Sequence, residues 1–147
     1  MNWMMRELTR MGRGDVAFLL ASNKTYPSYG YMIEKGATAI WELWNGDTAN
    51  RWMNSCNHVM ILGDLLTWYF RDLAGFNPAQ PAYKQIIFKP DFSIQELSYV
   101  KASHNTLYGK MISNWKKTLT HLEWDITIPC NTTALVYLPT LDEKAVK

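Results

Sequence analysis

Tyr26 to Gly46 reads YPSYGYMIEKGATAIWELWNG, and its punctuation sets the reading of everything around it. Tyr-Pro-Ser-Tyr-Gly-Tyr is a loop leading into a short helix. Ser28 is placed to cap that helix, because its hydroxyl can accept from a first-turn N–H that has no partner inside the helix. Glu34-Lys35-Gly36 reads as the helix end, with Gly36 free to take the left-handed cap conformation. Ala37 to Trp44 is rich in β-branched and aromatic residues without a helical stripe, so an extended segment is expected. With period two, Ile40, Glu42 and Trp44 share one face. An acid on an aromatic face is costly to bury unless it is hydrogen-bonded or put to chemical use. Glu42 is therefore the first candidate functional residue.

Working outward, Asn45-Gly46-Asp47 is a turn signal, and residues 48–53 form a loop. Asn54 or Ser55 then caps a helix running to about Leu73 and stopping at Gly75, with His58, Leu62, Leu65, Leu66, Tyr69 and Leu73 on one face. His58 falls in the first turn of that helix, where the positive dipole end favours a neutral imidazole. It reads either as packing at a helix start or as a lining residue of the pocket that holds Glu42. Upstream, Trp3 to Met11 forms a helix with Trp3, Met4, Leu8 and Met11 as its stripe, and a short apolar helix runs from Asp15 to Ala21. Downstream, Phe76-Asn-Pro-Ala-Gln-Pro81 marks a composition shift and a domain boundary. Beyond it the period changes from helical to two. Strands are expected at Lys84–Pro90, Leu97–His104, Lys110–Trp115, Leu122–Ile128 and Thr133–Leu138, which implies an antiparallel β-sandwich.

The 147 residues are 48% hydrophobic and 14% aromatic, enough for a buried core and incompatible with disorder. Seven Trp and eight Tyr can be core filling or stacking platforms for sugars. A net charge of +2 with intermixed signs lacks the basic stripe that nucleic acid or an anionic membrane requires. The Lys116-Lys117 pair reads as a solvated hairpin edge. Cys56 and Cys130 have no metal or redox spacing and read as two buried, unpaired thiols. His58, His104 and His121 form no ligand pattern, so neither a catalytic metal nor any other cofactor is expected. No stretch is long and apolar enough to span a bilayer, and the N-terminus lacks a signal-peptide pattern. Cytoplasmic and periplasmic locations both stay open.

Five motifs taken together carry a resemblance. PSYGYMIEKGATAIWELWNG, NSCNHVMILGDLLTWYFRDLAGF, YKQIIFKPDF, YVKASHNTLYGKMISNWKK and ITIPCNTTALVYLP, in that order, resemble the C-terminal end of bacterial α-L-rhamnosidases. The resemblance runs from about Gly12 to Pro139. Leu43 stands where the family usually has Arg, Cys56 lies inside the Asn-Ser-x-Asn-His motif, and Cys130 replaces a usual Ala.

The resemblance implies an α+β fragment: the last helices of an (α/α)6 barrel over residues 1–77, followed by a C-terminal β-sandwich over 78–147. It also implies inverting hydrolysis of terminal α-L-rhamnosides. That chemistry uses two carboxyl groups about 6.5–9.5 Å apart, one protonating the leaving oxygen and one activating water. The Ala-Thr-x-x-Trp-Glu motif places the general base at Glu42, while the motif that supplies the acid is absent from this chain. The Asn-His motif makes His58 a sugar contact, with Trp41 and Trp44 as neighbouring substrate-binding rings. The implied partners are a rhamnose-containing glycan or glycoside and the N-terminal part of the enzyme. Glu34 is the competing acid, Asp47 a turn residue, and Asp64 a polar contact to a neighbouring helix. Three readings stand side by side: the base half of a truncated or split rhamnosidase, a non-catalytic carbohydrate-binding module, and a remnant whose exposed barrel helices aggregate.

Overall fold

The structure, a computed structural model, describes residues 3–139. The chain divides into two compact units, Met1–Trp68 and Tyr69–Lys147.

The first unit is helical. It contains α1 (Met4–Arg10), α2 (Gly14–Ser22), α3 (Tyr29–Glu34) and α4 (Val59–Trp68). In α1 the buried residues are Met5 and Arg6, while Trp3 and Met11 are exposed, so the buried stripe is displaced from the expected Trp3-Met4-Leu8-Met11 set. α1 packs on α2 and on α4, and Trp68 Nε1 donates to Thr9 Oγ1 at 2.8 Å. α3 has the expected ends. Ser28 Oγ accepts from Tyr31 N–H at 2.8 Å. At the other end Gly36, at φ +81°, lets Gly36 N–H donate to Ile33 O and Ala37 N–H to Met32 O. This paired closure needs a residue that tolerates positive φ.

α4 departs from expectation at both its start and its face. It begins at Val59, and the His58 carbonyl accepts from Ile61 and Leu62 N–H. His58 is thus the flanking cap residue, and Asn54 and Ser55 lie outside the helix. Ile61, Leu65 and Trp68 are buried, whereas Val59, Met60, Leu62 and Leu66 are exposed. A helix apolar nearly all round offers two plausible stripes, and periodicity alone does not choose between them.

In the second unit a π turn (Tyr69–Leu73) precedes β1 (Phe76–Pro78), a 3-10 turn (Pro81–Tyr83), β2 (Gln85–Phe88), β3 (Tyr99–Thr106), β4 (Gly109–Lys117), β5 (Leu122–Thr127) and β6 (Thr133–Val136). One sheet has the order β1-β2-β6 and the other β3-β4-β5. β3, β4 and β5 are antiparallel neighbours, with Val100 opposite Trp115 opposite Trp124. β1 and β2 are antiparallel, but β2 and β6 run parallel. β6 follows three strands of the other sheet, a connection long enough to return the chain in the same direction. Fully antiparallel pairing therefore fails at this one junction.

The two sheets share a core of Ala74, Phe76, Ile86, Phe88 and Met111, with Val100, Ala102, Trp124, Ile126, Ala134 and Val136 packed against it. Trp115 is 2% exposed and its Nε1 donates to Leu73 O at 2.8 Å. The Lys116-Lys117 pair is split by strand alternation. Lys116 is exposed, but Lys117 turns inward, where its Nζ donates to the Phe92 and Ile94 carbonyls. Burial pushes the Lys117 pKa down, with Asp91 and Glu96 opposing.

Candidate functional site

Ala37 to Trp44 is not a strand; it bends repeatedly and then enters the turn at Trp44–Thr48. What holds it is a strap formed by residues 54–58. His58 N–H donates to Ile40 O at 2.7 Å, and Glu42 N–H donates to Ser55 O at 2.9 Å. Three residues on one side (40–42) thus face four on the other (55–58), a mismatch like that of a bulge, and it breaks a regular ladder. Two side chains complete the lashing. Leu43 N–H donates to Asn54 Oδ1 at 3.2 Å, and Ser55 N–H donates to the Glu42 carboxylate at 3.0 Å.

Glu42 is half-buried and its Oε2 has a fixed backbone donor. Its orientation is set by a segment 13 residues downstream, not by its own neighbours in sequence. His58 is also half-buried, and its Nδ1 is buried with no hydrogen-bond partner among the described residues. The same holds for Asn54 Nδ2 and Asp64 Oδ2, so the polar contact expected for Asp64 is not seen. A buried polar atom without a partner is expensive, and three of them lie in this unit, two on the strap itself.

The aromatic candidates separate. Trp41 is only 7% exposed, and its ring lies where a Cβ on Gly46 would sit, 2.6 Å from the ring carbon Cδ2. It offers almost no face to a sugar and instead anchors the turn behind Glu42. Trp44 is half-buried and meets the Tyr29 ring edge-on at 4.9 Å. Trp52, in the loop before the strap, is 96% exposed. Sequence reading treated that loop as a connector, and nothing periodic marks an isolated exposed ring.

Glu34 lies on the surface and pairs with Lys24 at 2.8 Å, which raises the Lys24 pKa. Asp47 in the turn accepts from Tyr31 Oη at 3.1 Å, and desolvation together with that carboxylate raises the Tyr31 pKa. Cys56 and Cys130 are free and exposed, contrary to the buried thiols expected; each sits in a loop rather than on a core-facing element. Among the described residues no three His, Cys, Asp or Glu side chains converge as metal ligands, and no helix is long and apolar enough to cross a membrane.

Residues 1–73 match the family model of the bacterial alpha-L-rhamnosidase 6 hairpin glycosidase domain, and residues 75–147 that of the bacterial alpha-L-rhamnosidase C-terminal domain. An alpha-L-rhamnosidase of Streptomyces avermitilis is 33% identical over 90% of this chain and 13% of its own length. One from Formosa agariphila is 34% identical over 95% of this chain and 15% of its own. The crystal structure of the Streptomyces avermitilis enzyme complexed with L-rhamnose superposes with a TM-score of 0.83, at 31% identity, covering 95% of this chain and 14% of that one. The alpha-L-rhamnosidase from Dictyoglumus thermophilum gives the same TM-score at 40% identity, covering 95% of this chain and 16% of that one. The chain thus spans about a seventh of the length of these relatives. With both of its units matched by consecutive domains of one family, it belongs to the bacterial α-L-rhamnosidases and corresponds to their C-terminal part.

Proposed function

We propose that this chain supplies the base half of an inverting α-L-rhamnosidase site, with Glu42 as the general base. Its helices would be the last of an (α/α)6 barrel, and its two sheets a C-terminal β-sandwich. The observation that carries this reading is the strap: it fixes a half-buried carboxylate by a backbone N–H, and it also carries an imidazole whose Nδ1 has no partner among the described residues. In an inverting reaction that carboxylate takes a proton from water as the water attacks the anomeric carbon. A general acid on the opposite side, from the N-terminal part of the enzyme, protonates the leaving oxygen. His58 would contact the sugar through the part of its ring that stays accessible, and Trp44 would border the sugar. Trp41 would act from behind, as the wedge that keeps the Glu42 backbone in place.

The exposed side chains of α4 support the same reading. Val59, Met60, Leu62 and Leu66 form an apolar surface on a helix already packed on its other side. Further barrel hairpins would cover such a surface. The proposed substrate is a terminal α-L-rhamnoside, and the proposed partner is the N-terminal portion that carries the acid. The test compares this chain alone with an enzyme rebuilt around it, using a nitrophenyl α-L-rhamnoside. Hydrolysis is expected only from the rebuilt enzyme. Turnover by the chain alone, abolished by mutating one of its own residues, would refute the division of the site.

A further inference from the structure

The sheet β3-β4-β5 has one face in the core and one in solvent, and the solvent face is recessed. A cavity of about 530 Å³ is lined there by Trp115, itself 2% exposed, and by six other residues: Tyr99, Lys101, Asn114, Lys116, Glu123 and Asp125. The strand register arranges these six as two rungs: Tyr99 opposite Lys116 opposite Glu123, and Lys101 opposite Asn114 opposite Asp125. Strand alternation puts all six on the side away from Val100, Met111, Ser113 and Trp124. Tyr99, on an edge strand, is 60% exposed and presents its ring. Asn114 uses its Oδ1 to accept from Ala102 N–H, which leaves its amide hydrogens for the recess.

The chemistry of the rungs selects among possible occupants. Two ammonium groups and two carboxylates balance, and none of the four is ion-paired with another; among the described residues Glu123 approaches His121, at 3.7 Å. An apolar segment laid over this face would strip water from four unpaired charges and return no partner to any of them. A polyanion would meet Glu123 and Asp125, and a polycation Lys101 and Lys116. An uncharged polyol satisfies both signs, since each hydroxyl can donate to a carboxylate and accept from an ammonium or amide N–H. The C–H face of a pyranose can also lie on the Tyr99 ring.

We propose that this recess is an ancillary binding site for an uncharged oligosaccharide chain, stacked on Tyr99 and hydrogen-bonded across both rungs. Only the choice of sugar rests on the rhamnosidase reading; the site lies wholly in the second unit and is independent of Glu42.

The test is an amide NMR titration of the ¹⁵N-labelled full chain with a neutral rhamnose trisaccharide and, as a second uncharged chain, cellotetraose. Saturable shifts are expected at Lys101, Asn114, Lys116, Glu123 and Asp125 with at least one of them, with dextran sulfate failing to compete. Tyr99→Ala should weaken binding by about three- to tenfold, the worth of one stacked ring, while Tyr99→Phe binds like the parent. The spectra themselves report whether each variant is folded. Shifts confined to residues 40–58 would overturn this proposal and leave the catalytic reading standing. No shifts with either sugar, or an unchanged affinity in folded Tyr99→Ala, would also overturn it. A rebuilt enzyme indifferent to Glu42→Gln would sink the catalytic reading and leave this one untouched.

Discussion

Gly46→Ala tests whether the turn behind Glu42 is held by packing. A Cβ at residue 46 would lie 2.6, 2.7 and 2.8 Å from three carbons of the Trp41 ring. Ordinary carbon contacts lie near 3.5–4.0 Å, so the ring must retreat by about 1 Å. It has little room to do so, being 7% exposed. Forcing one extra methyl into a packed site costs typically about 1–3 kcal/mol. The midpoint of urea unfolding should fall by that amount divided by an unchanged m-value, and the fluorescence of the native state should shift as Trp41 moves. In a rebuilt enzyme the same substitution should lower kcat by up to about a hundredfold, because a displacement of about 1 Å at a reacting group costs that much. A variant within about 0.5 kcal/mol of the parent, with an unaltered spectrum, would refute the account of Trp41 as a wedge.

Other expectations follow from the same contacts. In the rebuilt enzyme Glu42→Gln keeps the shape but loses the proton acceptor, so kcat should fall about 10²–10⁴-fold with little change in KM. Glu34→Gln, which loses only a surface pair with Lys24, should stay within a few-fold, and the reverse outcome would place the base on the wrong acid. His58→Ala should raise KM more than it lowers kcat, read from initial rates over a range of substrate. Trp115→Phe leaves the Leu73 carbonyl without its donor and should cost about 1–3 kcal/mol in denaturant unfolding; a neutral result would mean the bond adds nothing. Burial lowers the Lys117 pKa in the folded chain. Between that lowered value and 10.5 the unfolded chain binds more protons, so this group makes stability rise with pH through that window. The rise should be lost in Lys117→Met, and so appear in the difference between parent and variant, in melts from neutral pH to pH 10.5.

Elements closed by local chemistry were legible in the sequence. The Ser28 cap and the Gly36 closure depend on residues within a few positions, and α3 lies between them. β3, β4 and β5 were legible as strands because alternation persists over five or more residues in each. β1 was not, since three residues ending in Pro78 carry no measurable period. Nor was the parallel β2–β6 pairing, which depends on where a distant strand returns and not on either strand's pattern. The buried face of α4 escaped because Val59, Met60, Ile61, Leu62, Leu65 and Leu66 supply apolar residues on every side. Which side is buried was decided by α1, through partners such as Thr9.

The surroundings of Glu42 show the same limit from the other direction. Alternation put Ile40, Glu42 and Trp44 on one face of a strand, but the segment has no ladder to enforce that alternation. Its conformation is imposed by four hydrogen bonds from residues 54–58, two to backbone carbonyls and two through the side chains of Asn54 and Glu42. Such cross-links leave no periodic trace; only the resemblance of the Asn-Ser-x-Asn-His motif hinted that residues 54–58 matter to residue 42. A strap of this kind also separates two requirements that a strand would join. A ladder would fix Glu42 by its backbone alone and leave the carboxylate to find a rotamer. Here the same residue, Ser55, accepts from the Glu42 backbone and donates to its side chain, so position and orientation are set together. For a group that must meet a water on one side of a sugar ring, that joint constraint is the preorganisation that the proposed chemistry requires.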